Sequence, residues 1–151
     1  DEVIDEALKH INRKSSEYKI TVDLPNELLM AKMDSRLIVQ VIINIIDNAI
    51  KYTPEGTEIT IRARIKNKEN LVVEIADNGN GISENDKDRI FDMFFTANKN
   101  TGDSRRGLGL GLSLCKSIIT AHGGEISVRD NLPHGTVFSF TLQAKEVQIY
   151  E

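Results

Sequence analysis

The stretch LIVQVIINIIDNAI, Leu37 to Ile50, reads as one long helix, apolar over most of its circumference. A helix so apolar must be buried, and in a chain rich in strand-like segments it lies against a sheet. Asp34 is placed to cap its start, and Pro54-Glu55-Gly56 ends it in a turn. Advancing about 100° per residue from Asn44 puts Asn48 at roughly +40°, Lys51 at roughly −20° and Gln40 at roughly −40°. Asp47 falls at roughly −60° and Arg36 at roughly −80° on the same scale. Val, Ile and Ala49 fill the remaining arc. The polar stripe is therefore narrow, and three of its members, Gln40, Asn44 and Asn48, are amides. Solvated faces usually carry long charged side chains instead. Asparagines at i and i+4 bring two carbonyl oxygens side by side, and hard cations such as Mg²⁺ take oxygen ligands while keeping waters and substrate phosphates. Lys51, one turn further, offers a charge suited to phosphate. On these residues alone, a plain solvent-facing edge stands level with that reading.

Outward from this helix, elements alternate. Val3, Ile4, Ala7, Leu8 and Ile11 have helical spacing, and Tyr18, Ile20 and Val22 alternate as in a strand. Pro25-Asn26-Glu27 predicts a turn and Leu28 to Met33 a short strand. Beyond the helix, Glu58 to Lys66 and Leu71 to Ala76 read as strands joined by a polar turn, Asn67 to Asn70. A short charged helix is predicted over Glu84 to Met93, then an aperiodic polar stretch, Thr96 to Arg106. A second helix runs from the glycines at 107–111 to His122-Gly123-Gly124. Strands over Glu125 to Arg129 and Thr136 to Leu142, joined by a turn at Asn131 to Gly135, close the fold, with a tail from about Lys145. Interleaved elements with hairpins predict an α/β fold: a two-layer α/β sandwich, its mixed sheet packed on about three helices. It is not doubly wound, because no strand leads directly into a G-x-G-x-x-G turn and a helix.

Composition narrows the function. The 151 residues suit one domain spanning 1–151, with 40% hydrophobic and 28% charged residues as in ordinary globular proteins. Nineteen basic against 23 acidic residues give a net charge of −4, which argues against a general nucleic-acid binder. No apolar run approaches the ~20 residues that span a bilayer. Cys115 is the sole cysteine, so it forms neither an internal disulfide nor a thiolate cluster, and a reducing compartment is expected. His10, His122 and His134 show no metal-ligand spacing, and His122 before two glycines reads as structural. A start at Asp1 without methionine is read as a piece excised from a longer protein or a processed product.

Three glycine features remain. Asp77-Asn78-Gly79-Asn80-Gly81 follows an apolar strand, and a carboxylate held at a strand end suits the exocyclic amine of adenine. Alone, D-x-G-x-G is more simply a tight turn. Gly107-Leu108-Gly109-Leu110-Gly111 opens a helix, where free backbone N–H groups bind phosphate, and Arg105 and Arg106 lie just upstream. Gly135-Thr136 opens the last strand and is uninformative alone. Phe91, Phe94 and Phe95 read as core.

In order and together, these features resemble the catalytic ATP-binding domain of sensor histidine kinases, a Bergerat-type fold in the superfamily of the DNA gyrase B subunit, Hsp90 and MutL. The resemblance runs from about Val3 to Leu142. Asn44 to Thr53 resembles the N box, Asp77 to Gly81 the first glycine box and Phe91 to Phe95 the F box. Gly107 to Gly111 resembles the second glycine box and Gly135-Thr136 the last. Phe94 to Asn98, with Ser104-Arg105-Arg106, is similar to kinases of the potassium-responsive KdpD type.

The resemblance implies roles. Asn48, with Asn44, would hold Mg²⁺ against the phosphates of ATP, and Asn44 and Lys51 would serve the transfer itself. Lys51 would touch phosphate and Tyr52 would flank the nucleotide. Asp77 would accept from the adenine amine, directly and through a water shared with Thr136, in a pocket lined by Gly79, Gly81 and Ile82. Arg105, Arg106, Gly107, Leu108, Gly109, Leu110, Gly111 and Leu112 would shape the phosphate site, with Thr96 to Arg106 as a lid.

It also implies partners: a dimerisation and phosphoacceptor helical domain that supplies the histidine, then a response regulator, in two-component signal transduction. No acceptor is expected in this chain, since His10-Ile11-Asn12-Arg13 lacks the acid that usually follows the histidine. The domain would be cytoplasmic and monomeric in isolation, touching neither nucleic acid nor membrane, in a parent anchored in the cell membrane. Two alternatives share the boxes: an ATPase switch and an anti-sigma-factor type of serine kinase. The switches place a glutamate base one turn before the metal-binding asparagine; here that position is Asn44, and an amide takes no proton from water.

Overall fold

The computed structural model describes residues 2–9, 19–23, 33–54, 56–67, 70–92 and 110–143. They form helix α1 (Glu2–Lys9), strand β1 (Lys19–Asp23), helix α2 (Ser35–Tyr52), strands β2 (Glu58–Asn67) and β3 (Asn70–Asp77), the single turn α3 (Glu84–Lys87), helix α4 (Leu110–Ala121) and strands β4 (Ile126–Asp130) and β5 (Thr136–Gln143). The strands make one five-stranded sheet in the order β1-β2-β3-β5-β4. β1 runs parallel to β2 and every other pair is antiparallel, so the sheet is mixed. The expected α/β sandwich forms, with α1, α2 and α4 sharing one core with one face of the sheet.

Strand register explains the layer. Ile59, Ile61 and Ala63 of β2, Val73 and Ile75 of β3, and Phe138, Phe140 and Leu142 of β5 point to the same side and meet the helices. From α2, Ile38, Val41, Ile42, Ile45, Ile46 and Ala49 are buried there, while Asn44, Asp47 and Asn48 are half-buried. The Asp34 carboxylate accepts from the N–H groups of Arg36 (3.1 Å) and Leu37 (3.4 Å) and caps α2 as its sequence predicts. The helix continues beyond Ile50 to Tyr52, because Pro54 is the first residue that cannot extend it. α4 lies along α2, and its last turn is tied to the first turn of α2 by His122. Nδ1–H donates to the Ile118 carbonyl (2.8 Å) and Nε2 accepts from the Asp34 N–H (3.0 Å), so both ring nitrogens are used.

One predicted element differs. The helix expected over Glu84 to Met93 is one α turn, α3. Beyond it the bonds are of the tighter i to i−3 kind, Arg89 N–H to Asp86 and Asp92 N–H to Arg89, both 2.9 Å. Lys87, bonded to Glu84 (2.5 Å) and to Asp130 (2.7 Å), anchors this turn to the end of β4. Ile90 enters the core, and Phe91 meets Phe138 edge-on with ring centroids 6.2 Å apart. Of the strand expected over Leu28 to Met33 only Met33, which lies in no strand, is described; 28–32, the turn at Pro25, Ile11, Tyr18 and the tail lie outside the described residues. Among the described residues no helix is long and apolar enough to cross a membrane.

The other sheet face carries no described helix, yet Val72, Glu74, Ala76 and Val137 on it are buried. Arg62 and Arg64 flank them from β2 and Arg129 from β4, and arginine stems shield apolar surface while their charged ends stay wet. Glu74 fixes the array by bonding Arg129 and lying 3.7 Å from Arg64. Burial pushes the Glu74 carboxyl up, but the Arg129 bond and the charges of Arg129, Arg64 and Arg62 outweigh it and leave it below its ordinary value. An acid whose folded value is lowered stabilises the fold above its unfolded value, and that contribution fades as the pH falls through its folded one. Glu74→Gln is expected to cost about 1–2 kcal/mol at neutral pH, since the arginine ends are exposed and screened. In urea melts across a pH series, the gap between parent and variant should close as the pH drops below the ordinary carboxylate range.

Candidate functional site

Asp77 is the last residue of β3, and register sets it opposite Ile59 on one side and Thr136 on the other. It shares the parity of Val73 and Ile75, so its carboxylate faces the helix layer, and the residue is only 6% exposed. Oδ1 accepts from the N–H of Gly79 (2.9 Å) and of Thr136 (3.3 Å). Among the described residues no donor reaches Oδ2. Burial pushes this carboxyl up and the two backbone bonds pull it back, with the net shift upward. The group is thus an acceptor held by the backbone, with one oxygen uncommitted among the described residues.

The turn that follows is packed to close tolerance. Asn78 donates its N–H to the Glu58 carbonyl (3.2 Å) and accepts the Glu58 N–H on Oδ1 (2.8 Å), which lashes the turn to the start of β2. At Gly79 an added Cβ would stand 2.5 Å from Cγ2 of Thr53. Thr53 is the C-cap of α2, its hydroxyl donating to the Ala49 carbonyl (2.5 Å), so α2 ends directly on the glycine turn. Gly135 has φ +111°, and a Cβ there would lie 2.0 Å from the Asp77 carbonyl oxygen. Gly81 stands beside the Gly135 carbonyl, and Ile82 is half-buried against the core.

A second cluster lies further up α2. Asn44 donates from Nδ2 to the Gly111 carbonyl (3.4 Å) and accepts on Oδ1 from Gln40 Nε2 (2.9 Å). Asn48 is half-buried one turn on, and Leu112 packs against the core. Nine residues at about 1.5 Å each separate Asn44 from Thr53, roughly 13 Å along the axis. One helix therefore carries a pair of amides and, a nucleotide's length away, the residue packed against the turn that follows Asp77. Cys115, bonded to the Val41 carbonyl (3.6 Å), is buried with its thiol pushed up to about 12 by desolvation, and is inert.

The structure thus brings Asp77, Gly79 and Thr136 together, and Asn44 with Gly111. Lys51 and Tyr52 fall on the last turn of α2, and Leu110 opens α4; their side chains lie outside the description. Arg105, Arg106, Gly107, Leu108 and Gly109 lie outside the described residues, as does the expected lid. Thr53, Asn131 and His134 also belong to the Asp77 cluster, as Asn131 donates to the Asp77 carbonyl and His134 faces that of Gly79. Nothing in the sequence near them marks those contacts, of which those of Asn131 and His134 span more than 50 residues.

The sequence profile of the histidine kinase-, DNA gyrase B- and HSP90-like ATPases matches residues 33–146. The chain belongs to that ATPase family. Within it, this domain is 45% identical over 142 residues to the sensor protein KdpD of Clostridium acetobutylicum, covering 94% of this chain and 16% of KdpD. Its backbone is similar to the mycobacterial sensor histidine kinase MprB, with a TM-score of 0.82, 27% identity, and 97% and 95% of the two chains covered. It is also similar to the catalytic domain of the histidine kinase ThkA, at TM-score 0.80 and 33% identity, with 94% and 92% covered. ThkA has further been solved in complex with the response regulator protein TrrA. The domain spans only 16% to 35% of the length of the curated relatives it matches.

Because the Gly79 constraint is a side-chain methyl, it is testable in this ATPase-family domain by suppression. Gly79→Ala is expected to lower stability by about 1–3 kcal/mol through overpacking. Adding Thr53→Ser, which deletes Cγ2 and keeps the hydroxyl bond to Ala49, should recover part of that loss in thermal melts. Equal melting of the single and double variants would show that Thr53 does not set the requirement.

Proposed function

We propose that this domain binds Mg-ATP and donates its γ-phosphate to a histidine on a separate helical dimerisation and phosphoacceptor domain, for onward transfer to a response regulator. The observation that carries the reading is the buried Asp77 carboxylate, with Oδ1 held by two backbone N–H groups and Oδ2 without a donor among the described residues. Such an acceptor matches the adenine 6-amine and opposes the 6-oxygen of guanine, because two acceptors repel. Gly79, Gly81 and Ile82 form the walls of that pocket, and Thr136 shares a water with Asp77.

The amides of Asn44 and Asn48 fit Mg²⁺, a cation that takes oxygen ligands and keeps places for water and phosphate. When bound, the ion neutralises charge on the phosphates during transfer. Asn44 brings its oxygen already hydrogen-bonded by Gln40, which orients it, and its Nδ2 holds the first turn of α4 through Gly111. Lys51 lies on the same helix face and meets phosphate, and Tyr52 flanks the nucleotide. The backbone N–H groups from Gly107 to Leu112, with Arg105 and Arg106, complete the phosphate site. Transfer then depends on positioning and charge stabilisation, and the acceptor imidazole is the nucleophile. Neither Asn44 nor Asn48 takes a proton from water, so hydrolysis by the isolated domain is slow. The whole chain 1–151 acts as one catalytic unit, on the cytoplasmic side of a membrane-anchored parent.

Calorimetric titration is expected to give Mg²⁺-assisted binding of ATP and none of GTP. Asp77→Asn should weaken ATP by at least about tenfold, because an amide can present a donor where an acceptor is needed. The same change should leave stability equal or higher at neutral pH. The folded carboxyl is raised, so ionising it while buried costs stability as the pH climbs through its folded value, and the amide escapes that cost. A variant that binds ATP like the parent removes Asp77 from base recognition. Asn48→Ala should abolish most of the Mg²⁺ dependence; an unchanged dependence would remove Asn48 from the metal site.

A further inference from the structure

The turn between β4 and β5 contacts the Asp77–Gly79 segment through more than the Gly135-Thr136 corner. Asn131 donates from Nδ2 to the Asp77 carbonyl (2.8 Å), and His134 lies with Nδ1 3.0 Å from the Gly79 carbonyl. Facing a carbonyl, that nitrogen carries the proton and donates. Asn131 is itself fixed, since its Oδ1 accepts from Leu132 N–H (3.0 Å) and its own N–H donates to the Gly135 carbonyl (3.0 Å).

Location gives these bonds their importance. The β3–β5 ladder ends at the Asp77–Thr136 pair. Beyond it the segment is tied to β2 through Asn78 and Glu58, but no β5 ladder bond holds it on the other side, where the Gly79 N–H orients the Asp77 carboxylate. Asn131 grips that segment before the carboxylate's residue leaves the strand, and His134 grips it just after. A carboxylate rotated by a loosened Gly79 would still be an acceptor, but its free oxygen would no longer point along one line.

We infer that Asn131 and His134 are positioning residues for base recognition, which clamp the Asp77–Gly79 turn and so set the preference for a 6-aminopurine over a 6-oxopurine. This rests on the reading of Asp77 as the adenine acceptor.

The test compares affinities for ATP and inosine triphosphate by calorimetry in the full chain. The parent is expected to prefer ATP. Asn131→Asp keeps the oxygen that accepts from Leu132 and sets a second oxygen against the Asp77 carbonyl; it should lower ATP affinity about tenfold, the scale of one misplaced hydrogen bond, and leave inosine triphosphate nearly unchanged. His134→Ala should shift the ratio the same way, and His134→Asn, whose amide donates in place of Nδ1, should restore it. A parent-like ratio in both Asn131→Asp and His134→Ala, or equal losses for both nucleotides, would overturn the inference and leave the two residues a merely structural part. If Asn131→Asp does not fold, the exposed His134 pair of variants decides alone. A parent without preference between the two nucleotides would instead defeat the assignment of Asp77, and the clamp with it.

Discussion

A carboxylate buried at the end of a central strand is expensive, and the architecture around Asp77 exists to hold it. Desolvation raises its pKa, and two backbone N–H groups offset part of that cost. To deliver those N–H groups the chain must fold back at Gly79 and bring β5 to within van der Waals distance at Gly135. Both positions therefore lack a side chain for reasons of space, one against Thr53 and the other against the Asp77 carbonyl. The D-x-G-x-G turn and the distant Gly-Thr are two halves of one structural unit around Asp77.

Helix α2 transmits this constraint to the rest of the site. Its apolar side is locked into the core, its C-cap Thr53 abuts the glycine turn, and its amide stripe looks toward α4. α4 is secured to it most firmly at the end away from the glycine run, where His122 uses both ring nitrogens and meets Asp34 at 3.0 Å. At the glycine end the contact is the longer Asn44–Gly111 bond of 3.4 Å. Buried Cys115, Ile118 and Ile119 and the His122 bonds thus place α4, while the turn next to the proposed phosphate site meets a proposed metal ligand through the longer Asn44 bond. The outer sheet face solves a different problem, since arginine stems arranged by Glu74 cover apolar side chains that no described helix covers.

Much of this was legible in the sequence because it is local. Periodicity over Leu37 to Ile50 identified the buried helix, Asp34 its cap and the alternation over Glu58 to Lys66 a strand. The α/β class followed from the alternation of elements and hairpins. Over Glu84 to Met93 the expected helix shrank to one turn, because apolar residues at 90 and 91 meet the core from a tight turn as well as from a helix. The importance of Asp77 was readable only through its box, since D-x-G-x-G alone describes an ordinary turn.

By itself the sequence determined the buried helix with its asparagine stripe, the strands of the mixed sheet and the family to which they belong. Only the tertiary structure decided that Thr53 forbids a side chain at Gly79, that Asn131 and His134 grip the Asp77 turn, and that Glu74 pairs with Arg129 and Arg64. The physical reason is that these are contacts between groups far apart in the chain. Strand register and helix packing bring them within hydrogen-bond reach, and no local pattern of residues encodes which distant partner will arrive.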